Sequence, residues 1–169
     1  MKHATYSVTL IGLLAFSLGS AAMSTVASLQ AAEPHHTVVP GDAVKWGPAP
    51  GSLPPGAQAA VLFGNPAVEG PYVLRLKFPS GYTIAPHRHS KDEFVTLISG
   101  KIAIGPGEKL DRAALKPLPP ASFVHLPAGM AHYGWADGEA ILQVHGMGPF
   151  DVTYVDPKDD PRLKKNTSQ

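Results

Sequence analysis

The hydrophobic residues of this chain occur mainly in short runs that alternate with polar residues. The clearest run covers residues 72–78, where apolar side chains occupy every second position: Tyr72, Leu74, Leu76 and Phe78. The positions between them include Arg75 and Lys77. Successive side chains of a β-strand point to opposite faces, so this run predicts a strand with one buried face and one solvent-facing side.

Seven further runs are short, rich in β-type residues and bounded by turn residues. They cover residues 59–63, 94–98, 101–104, 122–126, 132–135, 140–145 and 152–155. Eight short strands at this spacing predict an all-β sandwich or barrel. Only residues 109–115 resemble a helix, and the prolines that follow at 117, 119 and 120 would end it.

The chain divides into four segments. Residues 1–32 resemble a targeting sequence, residues 33–56 form a Pro/Gly-rich arm, residues 57–155 hold the predicted β domain, and residues 156–169 form a polar tail. The part of the arm from Pro40 onward is too rich in Pro and Gly for a long regular element. It is either an ordered wrapping segment pinned by Trp46 or a loose arm.

Composition supports a single β domain and excludes several kinds of function. The 169 residues include 18 Pro and 17 Gly, which argues against a helical bundle because both residues disfavour helix interiors. A net charge of +1 provides no strong positive field for nucleic acids or anionic membranes. The absence of Cys excludes disulfides, thiolate nucleophiles and iron-sulfur clusters, so any metal must be held by His and carboxylate.

The N-terminus has the three-part form of a secretory signal peptide. Lys2 and His3 precede an apolar run at 8–23, and a stretch of mostly small residues follows at 24–32. Cleavage after Ala22, Ala27 or Ala32 is compatible with this pattern. A membrane anchor is disfavoured because Ser and Gly interrupt a run shorter than the roughly 20 residues of a spanning helix. We expect a periplasmic or secreted protein with no stable membrane anchor after cleavage.

The spacing of the central histidines is the strongest chemical signal. His87 and His89 are separated by one residue, so on a strand both rings project from the same face. Three residues separate His89 from Glu93, enough for a turn that brings this carboxylate toward the same point. A lone pair of this kind has an alternative explanation, namely two exposed histidines beside a turn.

Two motifs resemble those of the cupin superfamily. Residues 81–100 fit G-x5-H-x-H-x3-E-x6-G, the first cupin motif, and Pro127, Gly129 and His132 fit the P-x-G-x2-H core of the second. The second motif departs from the family pattern in having Ala121 where Gly is usual and Ala136 where Asn is usual. The resemblance, which covers residues 72–145, is to small single-domain cupins of the type-2 kind.

The resemblance implies a single-domain jelly-roll β-barrel that holds one divalent transition metal ion. It assigns the ligands as His87, His89, Glu93 and His132. Such a shell would leave two free positions on a six-coordinate ion. The ion could be Fe, Mn, Ni, Zn or Cu, since spacing does not distinguish between them.

Other residues near the motifs are candidates for contact with a substrate. Val95 and Leu97 share parity with Glu93, which suggests a pocket wall. Gln143 and His145 either point into the barrel, as catalytic or substrate-binding groups, or lie on its outer face. His125 is either a pocket residue or a partner of a backbone group, and Tyr133 should face away from the metal.

Two classes of function remain open at this point. The first is a metal-dependent enzyme acting on a small molecule, with dioxygenase-like chemistry favoured over isomerase, oxalate-type or superoxide-type redox chemistry. The second is a non-catalytic exported protein that binds metal or a small ligand. A transcription-factor sensor is disfavoured because the mature chain has no room for a helix-turn-helix. A homodimer is compatible with the low net charge.

Overall fold

A computed structural model describes residues 36–164 of the chain. The predicted signal peptide and the last five residues of the polar tail lie outside these residues. Ten strands are present in the described part: β1 (Gly47–Pro48), β2 (Gln58–Phe63), β3 (Gly70–Phe78), β4 (Thr83–Arg88), β5 (Glu93–Ser99), β6 (Ile102–Pro106), β7 (Phe123–Leu126), β8 (His132–Ala136), β9 (Ala140–Gly148) and β10 (Thr153–Tyr154). No helix within 36–164 is long and apolar enough to cross a membrane.

The strands form two antiparallel sheets, as expected for a jelly roll. The larger sheet has six strands in the order β1-β2-β3-β9-β5-β7, and the smaller has four in the order β10-β4-β8-β6. The long β3 and β9 pair over nine residues, from Gly70 opposite Gly148 to Phe78 opposite Ala140. The all-β prediction is therefore confirmed, and each of the eight predicted runs overlaps an observed strand.

The core lies between the two sheets and follows the predicted alternation. Tyr72, Leu74, Leu76 and Phe78 of β3 are all buried, whereas the residues between them are only half-buried. On β9 the buried set includes Leu142 and Val144. The inner face is therefore the apolar parity of each long strand, because burial of apolar surface drives the sheets together.

Residues 109–115 contain no helix, contrary to the expectation. The Asp111 side chain accepts hydrogen bonds from the backbone N–H groups of Ala113 and Ala114, which is a turn geometry that competes with a helix. Leu115 packs on a second cluster with Tyr133 and Ala103, outside the barrel interior. This loop covers the outer face of the four-stranded sheet, and Tyr133 faces away from the interior as predicted.

The Pro/Gly-rich arm is ordered over its described part. Leu53 is buried, and backbone carbonyls of the arm accept hydrogen bonds from two tyrosine hydroxyls: Tyr82 to Pro54 at 2.6 Å and Tyr154 to Ser52 at 2.8 Å. Strand β1 adds to the edge of β2. Of the two alternatives, the ordered wrapping segment is the one observed, although these contacts rather than Trp46 alone hold it.

The polar tail begins with two short helical turns. A 3-10 turn covers Pro157–Asp159, and a single α-helical turn covers Pro161–Lys164. The Arg162 guanidinium pairs with Asp160 at 2.6 Å and donates to the Val152 carbonyl oxygen at 2.9 Å. The first part of the tail is therefore attached to the barrel by β10 and these contacts.

Candidate metal centre

The two sheets bring the two histidine motifs to one point inside the barrel. His87 lies on β4 directly opposite His132 of β8, because these residues are partners in the antiparallel ladder. His89 follows β4, and the turn at Ser90–Asp92 carries the chain across to β5 in the other sheet. Glu93, the first residue of β5, therefore faces the three histidines from the opposite wall.

The three imidazoles surround a space that fits one ion. The ring centroid of His87 lies 4.2 Å from that of His132 and 5.0 Å from that of His89. The ring centroids of His89 and His132 are 5.1 Å apart. One ring nitrogen of each histidine lies within 4.8 Å of the others. Glu93 Oε2 is 3.3 Å from His89 Nε2 and 3.5 Å from His132 Nε2. The three histidines could hold a metal ion.

All four side chains are almost fully removed from solvent. Their exposed fractions are 5% for His87, 6% for His89, 7% for Glu93 and 3% for His132. Buried polar groups of this kind require hydrogen bonds or metal coordination, because desolvation without a partner costs several kcal/mol. The partners of each ring nitrogen therefore show what the site is built to bind.

Backbone carbonyls fix the orientation of all three imidazoles. His87 Nδ1 donates to the carbonyl oxygen of Ala85 at 2.9 Å, and His132 Nδ1 donates to that of Met130 at 3.1 Å. His89 Nδ1 donates to the carbonyl oxygen of Asp151. A carbonyl oxygen only accepts, so each Nδ1 carries the hydrogen, and in the neutral ring Nε2 has a free lone pair. This is the arrangement that metal-binding histidines use.

The contact between His89 and Glu93 requires a positive charge. His89 Nε2 is buried without a well-oriented hydrogen-bond partner, although Glu93 Oε2 is only 3.3 Å away. An unprotonated nitrogen and a carboxylate oxygen at this distance repel each other unless a proton or a cation lies near both. A divalent cation would satisfy both atoms, so the residues present fit a metal ion.

The electrostatics of the site keep most of its groups ready to bind a cation. Burial, together with the neighbouring His132 and His89, lowers the pKa of His87 to about 3. Burial alone would raise the pKa of Glu93, but the neighbouring imidazoles of His132 and His89 lower it to about 2. For His89, burial acts to lower the pKa, but the carboxylate of Glu93 and the groups of Asp151 outweigh it and raise the pKa.

A loop distant in sequence completes the surroundings of His89. Besides the carbonyl bond to Nδ1, the Asp151 carboxylate accepts from the backbone N–H of Ser90 at 3.0 Å and from its hydroxyl. Phe150 stacks on the His89 ring with centroids 4.9 Å apart. Neither residue was predicted, because Asp151 lies 62 positions from His89 and carries no motif of its own.

A second carboxylate joins the two motif segments. Asp92 accepts a hydrogen bond from the backbone N–H of Ala128 at 2.8 Å and pairs with His125 Nε2 at 3.1 Å. It therefore ties the turn between His89 and Glu93 to the loop that precedes His132. His125 is exposed and occupies the outer face of the sheet, so it is not a pocket residue.

The remaining candidates separate into inward and outward residues. Val95 is buried and lines the cavity beside the metal ligands, as suggested, whereas Leu97 lies in the core outside that lining.

Gln143 and His145 are on the outer face, opposite the buried parity of β9. Gln143 accepts a hydrogen bond from Arg75 at 3.4 Å, and His145 stacks on Phe94 at 5.2 Å. Of the two alternatives, the outer face is therefore the one observed, because apolar packing of Leu142 and Val144 takes the inner face.

Comparison with solved structures identifies the fold. A polyketide cyclase, RemF, from Streptomyces resistomycificus superposes with a TM-score of 0.62 at 15% identity, covering 79% of this chain and 94% of that one. An acetylacetone dioxygenase from Acinetobacter johnsonii gives 0.57 at 16% identity, covering 78% and 84%. An RmlC-like cupin from Shewanella frigidimarina gives 0.52 at 14% identity, covering 68% and 91%. The cupin fold expected from the motifs is confirmed.

Sequence comparison adds the family. No curated protein matches the chain significantly. The family model for the DUF4437 domain, a domain of unknown function, matches residues 38–164. That range includes both motifs and every strand of the barrel. The chain is therefore a cupin-fold protein that belongs to the DUF4437 family.

Proposed function

We propose that this chain is an exported, metal-dependent cupin enzyme that carries out oxygenase-type chemistry on a small molecule. The observation that carries the proposal is the convergence of three imidazoles and one carboxylate on a buried point. The fixed tautomers, set by three backbone carbonyls, support a site built for a metal. The similarity of the fold to that of an acetylacetone dioxygenase supports the proposal of oxygenase-type chemistry.

His87, His89, Glu93 and His132 would hold a divalent transition metal ion with net charge +1 at the site. The ion would supply Lewis-acid or redox chemistry, with positions left free for small ligands. The chain itself holds the imidazoles in one orientation and keeps Glu93 ionised. The wall beside these side chains includes Val95 and is mainly apolar, and low-polarity surroundings strengthen electrostatic interactions.

Metal analysis is the primary test. Protein purified without a metal-affinity tag should contain one transition metal ion per chain by elemental analysis, and His89→Ala and Glu93→Ala should each lose it. The matched control is His145→Ala, which alters a histidine on the outer face. Stoichiometric metal in both ligand variants would contradict the ligand assignment. Oxygen uptake by the loaded protein with small organic substrates would then test oxygenase chemistry.

A non-catalytic metal-binding protein is the second candidate. It is favoured by the small size of the interior cavity, about 40 Å³, and by the near-complete burial of the four side chains. Such a centre could stabilise the barrel without exchanging ligands. Absence of any exchangeable water on the bound metal, measured by water-proton relaxation with Mn²⁺ in the site, would support this candidate over the enzyme.

Export is the part of the proposal that rests on sequence alone. The basic start, the apolar run at 8–23 and the small residues at 24–32 support it. Expression of the full chain in a Gram-negative host should give a periplasmic product that begins after Ala22, Ala27 or Ala32, as read by mass spectrometry. A cytoplasmic product with an intact N-terminus would contradict it.

A further inference from the structure

A groove of about 830 Å³ opens on the outer side of the six-stranded sheet. It is separate from the candidate metal ligands, because none of His87, His89, Glu93 and His132 lines it. Its volume falls within the range of roughly 300–1,000 Å³ that is typical of sites for small organic molecules. The groove is therefore large enough to hold an organic ligand outside the barrel.

Aromatic and apolar side chains form the walls of this groove. Phe63 of β2 and Phe94 of β5 belong to one row across the sheet, since successive cross-strand partners join them through β3 and β9. Three strand spacings of about 4.8 Å place their backbones roughly 14 Å apart, with Val73 in the same row between them. Phe63 and Met147 are 49% and 50% exposed. Large apolar side chains that stay exposed together are typical of a binding surface.

Tyr72 contributes a hydroxyl without a partner to the groove. The residue is 2% exposed and belongs to the lining. Its hydroxyl forms no hydrogen bond with any residue within 36–164, whereas the hydroxyls of Tyr82, Tyr133 and Tyr154 each donate to a backbone carbonyl oxygen. A buried hydroxyl without a partner is costly, so a ligand that accepts its hydrogen would be stabilised.

Gly146 leaves one side of this hydroxyl uncovered. It lies opposite Tyr72 on β9 and lines the same groove. A Cβ atom at this position would lie 3.4 Å from the Tyr72 hydroxyl oxygen and 2.9 Å from the carbonyl oxygen of Asp92. A larger side chain would therefore stand against the hydroxyl, whereas glycine leaves the space free for a ligand.

Lys91 brings a positive charge to the groove from the turn that follows His89. Its side chain lines the groove and has no ion-pair partner within the described part of the chain. The neighbouring carboxylate of Asp92 already accepts from the backbone N–H of Ala128 at 2.8 Å and pairs with His125 at 3.1 Å. The ammonium of Lys91 and the hydroxyl of Tyr72 are both donors, so the groove favours a ligand with a negatively charged acceptor.

We propose that this groove binds a small planar aromatic molecule that carries a carboxylate. The aromatic rings pack over Val73 between Phe63 and Phe94, and the carboxylate accepts hydrogen bonds from Lys91 and from the Tyr72 hydroxyl. Hydrogen bonds between charged partners are about twice as strong as those between neutral ones, so the carboxylate sets the specificity. The metal ligands take no part, and the site goes beyond the function proposed above.

Naphthalene-2-carboxylate is the probe, and naphthalene-2-methanol is its neutral control. Each compound is added at neutral pH to ¹⁵N-labelled protein as purified, and the amide resonances are followed. The amides of Val73, Phe94 and Met147 should shift with saturation. The carboxylate should bind at least about tenfold more tightly than the alcohol, because only the carboxylate forms charged hydrogen bonds.

Two pairs of variants test the polar contacts. Lys91→Ala should reduce the advantage of the carboxylate to less than about threefold, whereas Lys101→Ala removes a lysine outside the lining and should leave it unchanged. Tyr72→Phe removes only the hydroxyl and should weaken carboxylate binding at least about fivefold. Tyr133→Phe makes the same change in the other sheet and should have no effect. Circular dichroism checks the fold, and the lysine pair stays decisive if Tyr72→Phe does not fold.

Several outcomes would overturn the proposal. They are the absence of saturable shifts, equal affinities for the carboxylate and the alcohol, and equal losses in Lys91→Ala and Lys101→Ala. Shifts confined to amides around His87 and His132 would place the probe in the barrel instead. Groove shifts that depend on protein concentration without the probe would show that a second copy covers the groove. None of these results changes the metal content, so the groove and the proposed function fail or stand separately.

Discussion

Metal binding to this site should release protons, and His89 should be their main source. A transition metal binds unprotonated imidazole, so any proton on a ligand Nε2 must leave when the ion enters. In the metal-free protein the positive charge between His89 and Glu93 can only be a proton. The carboxylate raises the pKa of His89 above its ordinary value of 6.5, although burial acts in the opposite direction.

The structure sets a minimum for the number of protons released. At pH 6.5, a raised pKa means that His89 is more than half protonated, so at least about half a proton should be released per metal bound. His87 and Glu93 contribute none at this pH, because their pKa values are about 3 and about 2. Below the pKa of His89, metal affinity should fall at least about tenfold for each pH unit.

Isothermal titration calorimetry in buffers of different ionisation enthalpy measures this number directly. Zn²⁺ is titrated into metal-free protein at pH 6.5, and the slope of the observed enthalpy against the buffer enthalpy gives the protons released. His145→Ala is the control and should leave the slope unchanged, since this ring lies on the outer face. An observed enthalpy independent of the buffer at pH 6.5 would refute the assignment of a shared positive charge to His89 and Glu93.

Three further predictions concern residues around the site and in the core. Asp151→Ala removes the acceptor for both Ser90 groups and should weaken metal binding about tenfold in a chelator competition assay, with the fold retained. Ala121→Gly should raise the unfolding free energy by up to about 1 kcal/mol in urea denaturation, because Ala121 has a positive φ of 69°. Leu74→Ala should lower it by about 3 kcal/mol or more, since Leu74 is 1% exposed, and a smaller loss would contradict tight core packing.

The strands of the barrel could be predicted from the sequence where apolar and polar side chains alternate along the chain. Strand β4 was absent from the predicted runs because its six residues, TIAPHR, contain a proline and lack alternation. Its pairing with β8 defines it, and that pairing is a long-range property. The turn at Asp111 was likewise missed, since side-chain to backbone bonds do not appear in a hydrophobic pattern.

The site could be predicted only in part. The spacing of His87, His89 and Glu93 is local and follows from strand and turn geometry, whereas His132 was found only through resemblance to a known motif. Asp151 contacts His89 through a backbone carbonyl, which every residue has, and Ser90 through its carboxylate. Because it lies 62 positions from His89, no local pattern indicates its role. For His145, the same parity is compatible with a polar barrel interior or a solvent-facing surface, and only packing across the sheets distinguishes them.

The structure shows how the backbone accommodates Ala121, which stands where the second cupin motif usually has Gly. Cupins usually have Gly there, and the structure shows a left-handed backbone conformation that Gly adopts without strain. The chain retains this conformation with a side chain present. The Ala121 backbone N–H donates to the Leu97 carbonyl oxygen at 2.8 Å, and the neighbouring Ser122 carbonyl accepts from the Leu97 N–H at 2.9 Å. These two bonds hold the turn against the preference of Ala.

The depth of the four candidate ligand side chains has a consequence for how the protein would acquire a metal ion. Because the donors come from three strands and a turn in opposite sheets, they meet only when the barrel closes, and afterwards little of them touches solvent. Uptake of an ion should therefore be slower after the barrel has formed than during folding, and a bound ion should exchange slowly. The ion most abundant where the chain folds, rather than the one bound most tightly at equilibrium, would then be the one it carries.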